Sequence, residues 1–238
     1  MIELRRSSGR PLLIGHRGAA ALAGENTLEA IEAAARVGVD GVELDVLPGR
    51  DGVVVVAHGP ELPPDAAPLP EALALVAELG LLVQIDVKTR GVEAEVVRAL
   101  REAGLDEHGF VSSFSLSSLR RFAELAPQLP RALTYPEDRY GVSGSPFLRP
   151  LVGPGLAAMR WALPRRLPRW LRAAGAAGAT LNWGVVTPEV VDVCHRLGVA
   201  VLAWTVNDAG LAKNLVESGV DAIITDDPRI VPGGSRQT

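Results

Sequence analysis

The chain has 238 residues, 47% of them hydrophobic, with a formal net charge of -4, so we expect one domain with one large core across residues 1–238. The negative charge excludes an overall attraction to nucleic acid, and no apolar run reaches the length of a membrane span. The first residues lack the apolar core of a signal peptide, and the single Cys194 excludes an intramolecular disulfide. We therefore expect a cytoplasmic protein.

Short apolar runs alternate with segments of helical periodicity along most of the chain, which predicts repeated βα units. The predicted strands are residues 12–14, 41–46, 81–87, 110–113, 131–135, 179–183, 199–206 and 221–225, with a short extended piece at 53–57. The predicted helices are residues 27–37, 71–79, 92–103, 116–126, 188–197 and 209–217. Eight such units predict an α/β protein with a (β/α)8 TIM barrel and a very short insertion after the second strand. Asn26 and Glu29 have capping-box spacing, so Asn26 is expected to cap the first helix.

The segment 139–172 differs in composition from the rest of the chain. It contains seven arginines, two tryptophans, five prolines and no acidic residue. This composition predicts an irregular βα-loop with a solvated basic face. A more specific hypothesis is a lid over the mouth of the barrel that attracts anionic substrates or makes transient contact with an anionic membrane surface. Residues 229–238 are predicted to be a flexible tail.

Three acidic residues lie near the carboxyl ends of two neighbouring predicted strands. Glu43 and Asp45 are two residues apart, so they share one face of the second strand, and Asp86 lies on the third. Active-site residues of such barrels gather at this end, and neighbouring strands are about 4.8 Å apart. We therefore predict that the three carboxylates bind one divalent metal ion, Mg²⁺ or Ca²⁺, because these hard cations prefer oxygen ligands.

The other polar residues expected at the mouth suit a phosphodiester. Arg17 has a planar guanidinium that grips two non-bridging phosphate oxygens, and Lys88 adds a point charge. His16 and His58 titrate near neutral pH, so we predict that they act as general acid and general base on opposite sides of phosphorus. The sequence does not decide which histidine has which role.

Several motifs together resemble the glycerophosphodiester phosphodiesterases. They are HRG at residues 16–18, ENT at 25–27, GVELDV at 41–46, DG at 51–52 with the following histidine, the acid-x-Lys strand, and WTVN at 204–207. The resemblance covers residues 12–228. It implies a TIM-barrel hydrolase that uses a divalent metal to cleave small glycerophosphodiesters to glycerol 3-phosphate and an alcohol. By position it implies metal ligands Glu43, Asp45 and Asp86, the acid-base pair His16 and His58, and substrate-binding residues Arg17, Lys88 and Trp204.

Three features depart from the family pattern. Gly59 follows His58 where the family usually has Asp, Asp86 stands where Glu is more common, and the excursion before the next helix is short. Attack by water and attack by a glycerol hydroxyl, which gives a cyclic phosphate, both stay open. Two alternative functions also stay open: a phospholipase D-type enzyme acting on lysophospholipid or sphingomyelin, and a non-catalytic phosphate-ester binding barrel. The sequence leaves the oligomeric state and the alcohol group undefined.

Overall fold

The computed structural model describes residues 3–6, 9–59, 61–137 and 149–231. Eight parallel strands form a closed barrel, because the first strand pairs with both the second and the last. The strands are β1 (Leu12–Gly15), β2 (Gly41–Pro48), β3 (Val54–Val56), β4 (Leu82–Val87), β5 (Gly109–Ser113), β6 (Arg131–Tyr135), β7 (Gly178–Asn182), β8 (Ala200–Trp204) and β9 (Ala222–Thr225). All except β3 belong to the barrel. The predicted TIM barrel is therefore confirmed.

Helices follow the strands and cover the outside of the barrel. They are α1 (Leu28–Arg36), α2 (Leu69–Glu78), α3 (Glu93–Glu102), α4 (Leu116–Leu125), α5 (Arg149–Ala174), α6 (Pro188–Arg196) and α7 (Ala209–Glu217). Four of them begin after a polar residue whose side chain accepts a hydrogen bond from the first turn: Thr27, Ser115, Thr187 and Asp208. These caps satisfy backbone donors that the helix itself leaves free.

Side chains alternate along β2, so its carboxylates and its apolar side chains lie on opposite faces of the strand. Val42, Leu44 and Val46 are buried in the layer between the barrel and the helices. Glu43 and Asp45 therefore face the barrel interior, as the period of two requires.

The strand β3 returns antiparallel along β2 and forms the short insertion that the sequence predicted. Val46 pairs with Val56, and the backbone N–H of Ala57 donates to the carbonyl of Asp45 at 3.0 Å. The chain after β3 therefore runs back along β2 to the level of Asp45, which places His58 beside the acidic strand.

The prediction of an irregular segment at 139–172 is wrong from residue 149 onward. The helix α5 continues through Pro154, Pro164 and Pro168, although each proline removes a helical hydrogen bond. Side chains that recur every fourth residue are buried in the core cluster around the barrel: Leu163, Leu167 and Leu171. Burial of this apolar stripe outweighs the lost hydrogen bonds, and tertiary packing of this kind is not visible in the composition. The stretch 139–148 lies outside the described residues.

The predicted tail at 229–238 is described only as far as residue 231. Pro228–Ile230 forms a short 3-10 helix, so the beginning of that segment is ordered rather than flexible. Among the helices of the described ranges, none combines the length and apolar character needed to cross a bilayer.

The end of the barrel opposite the site is closed by the N-terminal segment. The side chain of Leu4 is buried with residues of the barrel interior. Asp221, which precedes β9, accepts hydrogen bonds from the backbone N–H groups of Arg6 and Val201 and from Nε2 of His195, all at 2.8 Å. This buried carboxylate ties the N-terminus to the floor of the barrel.

Candidate active site

Three carboxylates converge at the carboxyl ends of β2 and β4. Asp45 and Asp86 are direct neighbours in the strand register, and Glu43 lies two residues earlier on β2. One oxygen from each of the three residues lies within 4.8 Å of the others, and all three side chains are buried. Burial, followed by repulsion from Asp45, raises the pKa of Glu43 to about 8. Glu43 is therefore mostly protonated at pH 7 unless a further cation stabilises its carboxylate.

Two basic side chains contact this cluster. The Nζ atom of Lys88 lies 2.7 Å from Oδ1 of Asp45 and 2.5 Å from Oδ2 of Asp86. The Nε atom of Arg17 lies 3.0 Å from Oδ2 of Asp45, and its Nη1 donates to Glu25 at 2.5 Å. Burial alone would raise the pKa of Asp45, but the two cations outweigh it and hold the pKa below its usual value. Burial would lower the pKa of Lys88, and the carboxylates reverse that effect and raise it.

A turn after β1 aims the first two residues of the HRG motif at the cluster. Arg17 and Gly18 both have positive φ, at 52° and 87°. A Cβ on Gly18 would lie 2.6 Å from the Cβ of Ala30, so only glycine fits there. The turn lets the backbone N–H of Arg17 donate to Oε2 of Glu43 at 3.0 Å. A left-handed arginine is uncommon, and here the conformation brings its guanidinium into the site.

A carboxylate at the end of the neighbouring strand β9 holds His16 in place. Its Nδ1 lies 2.6 Å from Oδ1 of Asp226, which follows β9, and its Nε2 lies 3.9 Å from Oε2 of Glu43. Asn207 donates from Nδ2 to Asp226 at 2.5 Å and accepts from the backbone N–H of Asp226 at 3.0 Å. Burial lowers the pKa of His16, but the bond to Asp226 and the charge of Glu43 outweigh it, so the net pKa is raised.

Neither Asp226 nor Asn207 is among the site residues predicted from the sequence. The signal available was their position shortly after the carboxyl ends of β9 and β8, where side chains from adjacent strands meet.

His58 stands at the exposed rim of the same site. Partial burial against the cavity wall lowers the pKa of His58. The charge of Asp45 opposes this shift, and the cations Arg17 and Lys88 reinforce it. Within the described ranges, no side chain hydrogen-bonds to the His58 imidazole. This agrees with Gly59 replacing the acidic neighbour that the family usually carries.

A cavity of about 520 Å³ joins these groups. Both histidines line it, together with Lys88, Phe114 and Trp204. The ring of Trp204 meets that of Phe114 edge to face, with centroids 6.3 Å apart, and the ammonium of Lys88 lies 5.5 Å from the Phe114 centroid. One side of the cavity is thus charged and the other is aromatic.

The prediction that Asn26 caps the first helix is wrong. Thr27 is the N-cap, and its hydroxyl accepts from the backbone N–H of Ala30 at 3.2 Å. Asn26 is buried with φ of 58°, and its amide makes two bonds to Asp45: Nδ2 donates to Oδ2 at 3.2 Å, and Oδ1 accepts from the backbone N–H at 3.1 Å. Asn26 therefore orients the central carboxylate, which a capping pattern does not reveal.

Hydroxyl groups from the neighbouring strands fix the shorter acid, Asp86. Ser112 donates to its Oδ1 at 2.5 Å and Thr134 donates to the same oxygen at 3.2 Å. The amide of Gln84 in turn donates to the Ser112 hydroxyl at 2.9 Å. These bonds hold Asp86 toward the cluster, and the sequence offered no signal for them because their donors come from three separate strands.

The cluster has the properties expected of a site for a hard cation. All three donors are carboxylate oxygens, which is the ligand set preferred by Mg²⁺ and Ca²⁺. Burial and repulsion from Asp45 raise the pKa of Glu43, and the charges of His16 and Lys88 do not reverse that shift. A divalent cation bound by these three oxygens would favour the ionised form of Glu43, so the residues present fit a metal.

A TIM barrel with clustered carboxylates, two imidazoles and a guanidinium at the carboxyl ends of its strands defines a class of barrel enzymes that hydrolyse phosphate esters. Residues 16–64 and 74–230 match the model of the Glycerophosphoryl diester phosphodiesterase family. The chain belongs to this family and is a phosphoric diester hydrolase. The resemblance noted in the sequence is confirmed.

A curated relative agrees with this assignment, and two solved structures share the fold. The glycerophosphodiester phosphodiesterase of Caldanaerobacter subterraneus subsp. tengcongensis is 28% identical over 256 residues, covering 92% of this chain and 95% of that protein. The structure of a phosphodiesterase from Oleispira antarctica in complex with the product sn-glycerol-3-phosphate has a TM-score of 0.73 at 24% identity, covering 92% and 94% of the two chains. A glycerophosphodiester phosphodiesterase from Thermotoga maritima has a TM-score of 0.66 at 22% identity, covering 94% and 97%.

Proposed function

We propose that this enzyme is a metal-dependent glycerophosphodiester phosphodiesterase that releases glycerol 3-phosphate and an alcohol. The observation that carries the proposal is the set of three buried carboxylates within 4.8 Å of one another, in the cavity that both histidines line. The structural relative from Oleispira antarctica, which binds sn-glycerol-3-phosphate, supports the same substrate class. A reducing cytoplasm is the proposed compartment, because the one cysteine leaves no intramolecular disulfide.

Glu43, Asp45 and Asp86 are the proposed ligands of a divalent metal, Mg²⁺ or Ca²⁺. When bound, such an ion polarises a phosphoryl oxygen and stabilises the charge that develops in the transition state. Asn26 and the Ser112 hydroxyl hold two of these carboxylates in place, so their orientation does not depend on the ligand they bind.

Arg17 and Lys88 are proposed to bind the phosphate. The Arg17 guanidinium is anchored through Nη1 on Glu25 and lies at the cavity wall, where it faces the space that a phosphate would fill. Lys88 stays charged because Asp86 and Asp45 raise its pKa. Trp204 is proposed to contact the carbon chain of the substrate, since its ring and that of Phe114 form the apolar wall of the cavity.

His16 and His58 are proposed to transfer the two protons of the reaction. Asp226 accepts a hydrogen bond from Nδ1–H of His16, which leaves Nε2 as the nitrogen that faces the cavity. One histidine takes the proton of the attacking hydroxyl, and the other gives a proton to the departing alkoxide. Asp226 is a positioning residue in this scheme, because it acts through His16.

An assay of the purified protein on a panel of glycerophosphodiesters tests the proposal. We expect glycerol 3-phosphate from glycerophosphocholine or a similar diester, loss of activity with EDTA, and recovery with Mg²⁺, Ca²⁺ or Mn²⁺. Glu43→Gln should abolish recovery, whereas the matched change Glu29→Gln on α1 should not. Undiminished turnover after exhaustive chelation would show that the reaction does not need a metal. Binding without product would favour the phosphate-ester binding barrel, and release of choline from lysophospholipid alone would favour the phospholipase D-type activity.

Substrates with different leaving groups separate the two histidine roles. A variant that lacks the general acid regains activity when the alcohol is replaced by p-nitrophenol, because that leaving group departs without a proton. His16→Ala and His58→Ala are therefore compared on glycerophosphocholine and on a p-nitrophenyl ester of glycerol phosphate. Rescue of both variants, or of neither, would contradict separate acid and base roles. A substrate without the neighbouring hydroxyl distinguishes direct attack by water from attack by that hydroxyl, which gives a cyclic phosphate.

A further inference from the structure

The helix α5 concentrates positive charge in a protein that is negative overall. Its 26 residues, Arg149–Ala174, contain six arginines and no acidic residue. Since the whole chain has a formal net charge of -4, the rest of the chain carries -10. The helix α5 therefore carries a net positive charge on the outside of a barrel whose remaining residues are net negative.

The two faces of α5 differ in character. The buried face packs on the barrel through leucines at four-residue spacing. The exposed side carries Trp161, Arg165, Arg169 and Arg172, whose spacings of four, four and three place them along one line of the helix. These four residues form the basic stripe. The side chain of Trp161 is 71% exposed, which is unusual for the largest apolar residue.

The arginines of the basic stripe lack the acidic partners found on the other helices. Arg36 pairs with Glu32 on α1, Arg98 with Glu95 and Glu102 on α3, and Arg121 with Glu124 on α4. Among the described residues, no ion pair involves Arg165, Arg169 or Arg172. Instead, the guanidinium of Arg165 stacks on Trp161 with its carbon 4.8 Å from the ring centroid.

The stripe begins at the level of the active-site mouth. Arg160, next to Trp161, donates from Nε to the carbonyl of Gly184 at 2.5 Å, directly after the carboxyl end of β7. A helix of 26 residues is about 39 Å long, so the part of α5 before Arg160 extends past the barrel end that carries the site. From that level the stripe runs toward the closed end of the barrel, because Gly175, just after α5, accepts a hydrogen bond from Arg131 at the start of β6. A flat surface bound along the stripe would therefore lie against the side of the barrel.

We propose that the basic stripe of α5 docks on anionic phospholipid surfaces. A straight row of unpaired guanidinium groups on a convex helix complements a flat sheet of negative charge. The exposed tryptophan in the same row suits the interfacial region, where an indole ring keeps one side apolar and one side polar. Nucleic acid is the less favoured partner, because Arg165 already covers a face of the Trp161 ring on which a base would stack. The proposal stands independently of the reaction that the enzyme catalyses.

Vesicle co-sedimentation tests the docking. We expect the full-length protein to bind vesicles of phosphatidylglycerol and phosphatidylcholine, not vesicles of phosphatidylcholine alone, and to be released by high salt. Each arginine near an anionic surface contributes about a fivefold change in partitioning. The variant Arg165→Gln/Arg169→Gln/Arg172→Gln should therefore bind about 100-fold more weakly. A Trp161→Ala variant should bind more weakly without losing the dependence on anionic lipid.

A charge-matched control separates the stripe from net charge. The variant Arg36→Gln/Arg98→Gln/Arg121→Gln loses the same three charges from other helices and should bind anionic vesicles like the native protein. Equal loss of binding in both triple variants would overturn the proposal, as would equal binding of the native protein to both vesicle types. Tighter binding to single-stranded RNA than to anionic vesicles would replace it with a nucleic-acid surface. Circular dichroism melts and turnover of a water-soluble diester show whether each variant is folded.

Discussion

The two ends of strand β9 carry the same pair of residue types in opposite surroundings. Asp226, after the strand, binds His16 with 2.6 Å between Oδ1 and Nδ1. Asp221, before the strand, binds His195 with 2.8 Å between Oδ2 and Nε2. An isolated view of either pair would suggest the same chemistry, so the difference between them must come from their neighbours.

At the closed end, both oxygens of the carboxylate accept hydrogen bonds from the fold. Asp221 is 1% exposed and receives two backbone N–H groups besides the imidazole. At the open end, Asp226 leaves one nitrogen of His16 directed to a cavity that also contains carboxylates and cations. A His-Asp pair is thus structural where its polar atoms are satisfied by backbone, and suited to proton transfer where one ring nitrogen meets a cavity.

Replacing the histidine of each pair by alanine, one at a time, should give the largest difference in kcat between the two ends. His16→Ala should lower kcat for glycerophosphodiester hydrolysis by about 10³-fold, because a positioned general acid or base contributes on that order. His195→Ala is the matched control and should keep kcat within about twofold. Steady-state assays of both variants measure the difference. A small effect of His16→Ala would show that the His16–Asp226 pair takes no part in the proposed mechanism.

Weakening the carboxylate at the open end should have a smaller effect. Asp226→Asn keeps the size of the side chain but removes the charge that holds His16, so we expect kcat to fall about 10- to 100-fold with little change in KM. Asn207→Ala, which removes a brace of Asp226, should shift kcat in the same direction by less. An increase in KM with unchanged kcat would show that Asp226 contacts substrate rather than positioning the histidine.

The carboxylate at the closed end should affect stability instead of rate. Asp221→Ala leaves the backbone N–H of Val201 buried without an acceptor and frees the N-terminal segment, so the free energy of unfolding should fall by about 2 kcal/mol. Denaturant titration measures this loss, and kcat of the folded variant should stay within about twofold. A loss of activity at full stability would show that the two ends are coupled.

The thiol next to His195 reports how tightly the closed end is packed. Burial, with a contribution from Asp221, raises the pKa of Cys194 to about 12. At pH 8 only about 10⁻⁴ of a thiol with that pKa is ionised, and each unit increase in pH raises this fraction about tenfold. We expect Ellman's reagent to label the native protein slowly, the Asp221→Ala variant faster, and the denatured protein at once. Rapid labelling of the native protein would show that this end of the barrel opens readily.

The sequence was sufficient for features that depend on local periodicity. Alternation in GVELDV decides which face of β2 is acidic, and the recurrence of apolar runs decides the number of barrel units. Composition gave a wrong prediction for α5. Its prolines favour an irregular segment, and the buried leucines from Leu163 to Leu171 stabilise a helix only once the barrel exists to pack against them. The capping pattern failed for Asn26 for the same reason, since its partner Asp45 is 19 residues away.

The sequence alone determined the barrel, the family and the residue types available at the mouth, because short-range patterns and motif spacing encode them. Only the tertiary structure decided how those residues are held: Asn26 on Asp45, two strand hydroxyls on Asp86, and Asp226 on His16. Closure of the barrel brings β9 beside β1, and this joins residues that are 210 positions apart. Contacts at that separation depend on the closed sheet, which no local pattern specifies.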